Sequence, residues 1–341
     1  MKRIAQEIKE QNIKTLYFCH SFIHILNAYM IYSLTKMNAS DIGFIILVLD
    51  DTDESILKRI DTMLRQQGIA VFHIMKGSYV QRVLGISDMI KHKEKRSIYN
   101  AMSLNGGDFL LVNFSWNQEY VYYPASIFFK DASKVIFIEE GSAQYAMPHQ
   151  KKLMLLFRKI YSYYPYYWKM KKMVNIYVQN PEKYNVELWD YLTKCEMDYS
   201  CVDKAAIDTC MKMFLSEQNM SDIERYKNSD SCIIFTQPLS EDGYISEKEK
   251  MQIYSTLVDY YSRNNLVVVK RHPRDNSDYS MLNCILDAGK YPCELLNILG
   301  IHFKYAIGVS TSAVFSVEAD NIVNINEDFL TDKVIDLDRF K

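Results

Sequence analysis

Residues 266–275 read LVVVKRHPRD. Leu266, Val267, Val268 and Val269 form an apolar, mostly β-branched run, the pattern of a strand buried on both faces of a parallel sheet. The run stops abruptly at Lys270, Arg271, His272, Pro273 and Arg274, side chains that cannot be buried without partners. The polar cluster therefore belongs at the carboxyl end of a strand, the edge where open α/β sheets bind their ligands. Pro273 fixes its own φ and biases His272 towards an extended backbone. Lys270, Arg271 and Arg274 with one imidazole suit a phosphate group, and a solvated charged turn fits the same residues.

The flanking sequence repeats the pattern. Residues 231–236 (SCIIFT) read as a strand and run into Gln237, Pro238, Leu239, Ser240, Glu241, Asp242 and Gly243. Residues 245–262 read as a helix with Met251, Tyr254, Leu257 and Tyr261 on one face. Beyond the His272 turn we expect a short helical stretch, then a helix beginning at Tyr291 with Pro292 near its first turn. Residues 304–308 form a strand, Ser310, Thr311 and Ser312 lead into another helix, and 322–325 closes the sheet. Consecutive hydroxyls at a strand-to-helix turn combine side-chain donors with free backbone N–H groups, an anion site in the making. An ordinary N-cap explains one such turn. Polar signatures at three corresponding strand ends describe a phosphate pocket better.

Towards the N-terminus, strands are expected at 15–19, 42–49, 69–74, 109–114, 134–138 and 174–178, separated by helical patterns over 20–36, 54–67 and 79–95. This alternation predicts a parallel sheet with right-handed crossovers. Strand 134–138 ends in Glu139, Glu140 and Gly141, two acids able to meet sugar hydroxyls beside a glycine that permits a tight turn. A simple acidic turn is the plainer alternative. Residues 151–172, KKLMLLFRKIYSYYPYYWKMKK, interleave cations with Leu, Phe, Tyr and Trp, as an interfacial segment on an anionic bilayer does. Aromatics packed between domains under a coat of lysines is the competing reading. Composition turns polar over 182–230, so the expected domains are 1–190 and 191–341, both doubly wound.

Composition removes several function classes. The 341 residues carry a formal net charge of -2, which gives no global basic field and argues against a nucleic-acid partner. Seven scattered cysteines lack a CxxC pair and read as reduced thiols, with neither a disulfide framework nor a zinc site. The charged start, MKRIAQEIKEQN, lacks the apolar core of a signal peptide, and the apolar run 42–49 is too short to span a bilayer. The expected location is cytoplasmic, at the inner face of the plasma membrane if 151–172 binds there. Neither a Walker sequence nor G-x-G-x-x-G occurs, and only 11 glycines are present. Asp50–Asp53 stand after a strand without the other residues of a metal cage. We therefore expect a nucleotide-sugar enzyme with no metal and no bound cofactor, in which fixed cations, hydroxyls and helix dipoles stabilise the departing phosphate.

Glu139-Glu140-Gly141, His272-Pro273 and Ser310-Thr311-Ser312 resemble the three motifs shared by bacterial sialyltransferases. The surrounding residues, FTQPLSEDG at 235–243 and YPCELL at 291–296, are most similar to glycosyltransferase family 52, which includes lipooligosaccharide and capsule sialyltransferases. The resemblance implies a GT-B architecture, two Rossmann-like domains facing a central cleft, with CMP-sialic acid as the donor held by the second. It implies that His272 acts as general acid beside the CMP phosphate, with Pro273, Arg274, Ser310, Thr311 and Ser312 around the same group. Pro292 and Glu294 would meet the cytidine, and Gln237, Glu139, Glu140 and Gly141 the sugars. The general base is implied in the 238–243 loop, Asp242 or Glu241, with Glu139 and Glu140 as rivals. The implied reaction is inverting transfer to a terminal galactose of a bacterial surface glycan. Two alternatives share these residues: a metal-independent GT-B transferase using another nucleotide sugar or glycerol phosphate, and a non-catalytic nucleotide- or glycan-binding protein at the membrane. An oligomer is compatible with all three.

Overall fold

The β-branched and aromatic runs of the first half fold as strands: β1 (Thr15–Cys19), β2 (Ile42–Val48), β3 (Ala70–Met75), β4 (Leu110–Asn113), β5 (Tyr120–Val121), β6 (Lys134–Ile138), β7 (Tyr164–Pro165), β8 (Met173–Val178) and β9 (Leu192–Lys194). The computed structural model describes residues 1–49, 52–75, 86–104, 107–114, 116, 118, 120–121, 125–139, 164–165, 167–227 and 229–325. Seven of these strands make one parallel sheet in the order β3-β2-β1-β4-β6-β8-β9, and β5 pairs antiparallel with β7. Parallel neighbours need crossovers, supplied by helices Phe22–Thr35, Glu54–Gln66, Ile86–Ala101 and Ala125–Asp131. Strand order reverses at β1, the signature of a doubly wound sheet.

The second half adds β10 (Ser231–Phe235), β11 (Leu266–Lys270), β12 (Ile285–Asp287), β13 (His302–Val309) and β14 (Glu318–Ile325), all parallel in the order β12-β11-β10-β13-β14. Val267, Val268 and Val269 are at most 1% exposed, and burying each contributes about 1.5–3 kcal/mol before chain entropy is counted. Helix Glu247–Tyr261 starts at a capping box: Ser246 accepts the Glu249 N–H at 3.2 Å while its own N–H donates to Glu249 Oε2 at 2.8 Å. That helix buries Ile253, Tyr254, Leu257, Val258 and Tyr261 in one core with β10 and β11. The compact units are Met1–Thr52 with Leu57–Cys210, and Asp53–Ile56 with Met211–Lys341.

Four expectations change. The N-terminal residues form a helix, Lys2–Gln11, because Ile4, Ala5 and Ile8 make a narrow buried face within a charged segment. The short helical stretch expected after His272 is absent; that segment runs without a helix into β12, which pairs with β11. The helix expected from Tyr291 begins at Glu294, after Pro292. Ser310-Thr311-Ser312 leads into a single 3-10 turn, Ser312–Phe315, because β14 takes the chain back at Glu318. All seven cysteines are free thiols, and no helix among the described residues is long and apolar enough to cross a membrane.

Candidate active site

Register brings four strand ends of the second sheet into one row: Asp287, Lys270, Phe235 and Gly308 are successive partners across β12, β11, β10 and β13. The loops beyond that row must meet at one edge. His272 lies two residues past it and donates its backbone N–H to Thr236 Oγ1 at 3.0 Å, which ties the β11 turn to the end of β10. The Arg274 N–H donates to His272 Nδ1 at 3.1 Å. With Nδ1 accepting, the neutral ring carries its proton on Nε2.

Thr311 caps the turn after β13, its Oγ1 accepting the Ala313 N–H at 3.2 Å, and its own N–H donates to Asn324 Oδ1 at 3.2 Å. Ser310 holds φ 50°, in the left-handed region, with its N–H on the Ile325 carbonyl at 3.0 Å. A serine held there is strained, and such strain gathers at functional turns. Gly308 makes the turn possible: a Cβ on it would stand 2.2 Å from Thr311 Cγ2 and 2.8 Å from Val314 Cγ1. Gly308→Ala is expected to lower stability by about 1–3 kcal/mol, checked by the urea midpoint.

His272, Pro273, Thr236, Tyr291, Cys293 and Thr311 line a cavity of about 90 Å³. Larger grooves occur in the first unit, and none of them joins these residues. One of about 540 Å³ lies at the amino ends of β1, β2 and β4, the edge opposite the ligand-binding loops. Another, about 680 Å³, runs along β8 and β9, and a third, about 390 Å³, is lined by Tyr29, Tyr32, Gln67 and Asp203. Chemistry therefore favours the small cavity over the large ones.

Two buried ionic networks stand behind that edge. Lys270 is paired, as its burial demands: Nζ is 3.2 Å from Asp287 Oδ1, bonds the Gly289 carbonyl and lies 3.6 Å from the centre of the Tyr291 ring. Asp287 also accepts from the Tyr291 hydroxyl and, at 3.2 Å, from that of Tyr226. Lys250, fully buried in the first turn of helix Glu247–Tyr261, lies 2.7 Å from both Glu241 Oε2 and Asp275 Oδ1. Thr236, Lys250, Asp275, Asp287 and Tyr291 were not foreseen as site residues; Thr236, Asp275 and Tyr291 stand inside FTQPLSEDG, LVVVKRHPRD and YPCELL, whereas Lys250 and Asp287 stand in none of these stretches.

The two acids of the 238–243 loop differ in their surroundings. Burial raises the Glu241 carboxyl, but the Asn276 N–H, Lys250 and Ser240 outweigh it and hold the pKa at about 2. A lowered carboxylate stabilises the fold above its ordinary value of 4.5, and that stability is lost as pH falls from there towards 2. Urea midpoints measured across this window should fall less steeply in Glu241→Ala. Asp242, half-exposed, is gripped by the Arg274 fork at 2.7 and 3.1 Å. Gln237 donates its backbone N–H to the Tyr254 hydroxyl at 2.8 Å. Pro292 is buried beside Tyr291, and burial raises the Glu294 carboxyl at the first residue of its short helix. Ser312 is exposed.

In the first unit, Glu139 is buried after β6 and its carboxylate accepts the Gln179 N–H. Glu140 and Gly141 lie outside the described residues, as do 151–163. At the end of the basic-aromatic segment, Tyr167 and Trp168 pack in the core while Lys169 and Lys171 are exposed.

An uncharacterized protein of Haemophilus influenzae is 28% identical over 205 residues, 58% of this chain. The chain spans 63% of that relative, under two thirds of its length. The α/β-galactoside α-2,3-sialyltransferase of the luminous marine bacterium Photobacterium phosphoreum matches with a TM-score of 0.52 at 12% identity, over 95% of both chains. A sialyltransferase from Photobacterium damsela matches with a TM-score of 0.51 at 12% identity, over 90% of this chain and 73% of that one. Such low identity speaks to fold alone, and the fold is α/β of the GT-B type with two Rossmann-like sheets. The model of glycosyltransferase family 52 matches residues 169–327, which hold the HP pair and the Ser/Thr run. Over these residues the chain is similar to glycosyltransferase family 52.

Proposed function

We propose that the protein is an inverting sialyltransferase that moves sialic acid from CMP-sialic acid to a terminal galactose of a bacterial surface glycan, capsule or lipooligosaccharide. One observation carries this reading: His272, with its Nδ1 occupied by the Arg274 N–H, shares a cavity with Thr311 at the ligand-binding edge of the second sheet. The cavity of about 90 Å³ is below the roughly 300 Å³ that encloses a small ligand. In the proposed complex it receives the phosphate end of CMP, and Pro292 and Glu294 meet the cytidine beyond it.

In the proposed reaction Asp242 accepts the proton of the acceptor hydroxyl as that oxygen bonds the anomeric carbon. The bond from this carbon to the CMP phosphate breaks, and its electron pair leaves on the phosphate oxygen. His272 Nε2–H donates to that oxygen, and attack from the opposite face inverts the anomeric centre. Among the 238–243 acids the roles divide by surroundings: Glu241 is committed to Lys250 and Asn276, whereas Asp242 meets a half-exposed Arg274. The donor's own carboxylate is a competing bidentate partner for that fork, so donor binding would release Asp242. Fixed cations and hydroxyls handle the phosphate charge in this proposal, without a divalent ion. The enzyme would work in the cytoplasm, with 151–172 as its contact to the inner membrane face.

The test is release of CMP from CMP-sialic acid with and without a galactoside, in EDTA. Galactoside-dependent release with an α-linked product is expected. Transfer from another activated sugar or from CDP-glycerol, with none from CMP-sialic acid, would overturn the donor assignment.

A further inference from the structure

Two catalytic loops leave separate strands, and only a few groups fix one against the other. The turn after β11 is held from several sides: the His272 N–H on Thr236, the Asp275 N–H on the His272 carbonyl at 2.9 Å, and Asp275 Oδ2 accepting from the Tyr279 hydroxyl at 2.8 Å. The loop after β10 closes through Gly243, at φ 75°, whose N–H reaches the Ser240 carbonyl at 3.0 Å. Between the two stands Lys250. Its ammonium is fully buried, 2.7 Å from Asp275 on one side and 2.7 Å from Glu241 on the other, with Ser240 Oγ at 3.2 Å. Glu241 completes the clasp, accepting the Asn276 N–H on its other oxygen at 2.6 Å.

We infer that Lys250 and Glu241 are positioning residues: together they clasp the loop carrying Asp242 against the turn carrying His272, and so fix the base relative to the acid. The inference rests on the proposed transferase reading for its consequence in catalysis, though not for the clasp itself. An ammonium with no exposed surface is costly unless both carboxylates stay in place, so the loop cannot drift while Lys250 remains paired. Removing Glu241 leaves the loop after β10 held only by the Ser240 contact to Lys250 and by the Arg274 fork on Asp242, the pair that donor binding would release, while the His272 turn keeps its bonds to Thr236 and Tyr279. A base misplaced by about 1 Å costs on the order of a hundredfold in rate while ground-state binding persists.

Glu241→Ala, at the outer end of the clasp, keeps the buried Lys250–Asp275 pair and so the fold. Hydrogen exchange is read first, since it needs no turnover. The amides of Asp242, Gly243 and Asn276 should exchange at least tenfold faster, with that of His272 unchanged. In turnover of CMP-sialic acid, kcat should fall between tenfold and a hundredfold, and donor KM should stay within about threefold. Lys250→Met should accelerate the same loop amides and those of the His272 turn together. Unchanged exchange in Glu241→Ala overturns the clasp whatever the enzyme does. Wild-type kcat, or kcat and KM shifting by the same factor, overturns its positioning role. A wild-type protein that leaves CMP-sialic acid intact overturns the transferase reading instead, and exchange still decides the clasp.

Discussion

Replacing His272 with alanine is expected to lower galactoside-dependent release of CMP by about a thousandfold, within the range that general acid catalysis supplies. The Arg274 N–H occupies Nδ1, so the proton sits on Nε2, and the ring lines the same cavity as Thr311. A CMP leaving group carries negative charge as the glycosidic bond breaks, and a donor at that oxygen is stronger there than in the ground state. Both kcat and kcat/KM should therefore fall, more than CMP affinity does. His272→Gln is the useful second variant: an amide restores a donor but not a transferable proton, so it should recover CMP binding and little of the rate. A His272→Ala protein with more than a tenth of wild-type kcat would remove the acid role.

Asp242→Asn should cost a similar factor, about a hundredfold to a thousandfold in kcat, with donor KM almost unchanged. Asparagine is nearly isosteric and can still accept from Arg274, but it cannot take the acceptor proton. Glu241 is engaged by Lys250 and the Asn276 N–H, and Glu139 is buried with its carboxylate on the Gln179 N–H. Glu139→Gln should therefore leave kcat within about tenfold, the size expected of a neighbour and not of a base. Should Glu139→Gln abolish turnover and Asp242→Asn preserve it, the base belongs to the first sheet.

Much of this edge could be read in the residue order, for a physical reason. A buried parallel strand is a continuous β-branched run, so LVVV and CIIF announce β11 and β10, and the polar residues that stop them mark the edge. Ser310, Thr311, His272 and Pro273 were legible because turn chemistry is local. What escaped notice depends on distant partners. Lys270 reads as the first residue of a charged cluster, yet it is buried because Asp287 and Tyr291 arrive 17 and 21 positions later. Strand β12 has three residues and owes its existence to the neighbouring β11. Lys250 sits in a helix whose sequence suggests a solvated lysine; Asp275 and Glu241, brought together by the sheet, make its burial possible.

A crystal structure of the full chain with CMP bound tests the central assignment most directly. The expected result is a phosphate oxygen within hydrogen-bond distance of His272 Nε2 and of the Thr311 turn, with Glu294 beside the ribose. CMP seated elsewhere, or at this edge with its phosphate turned away from His272, would contradict it.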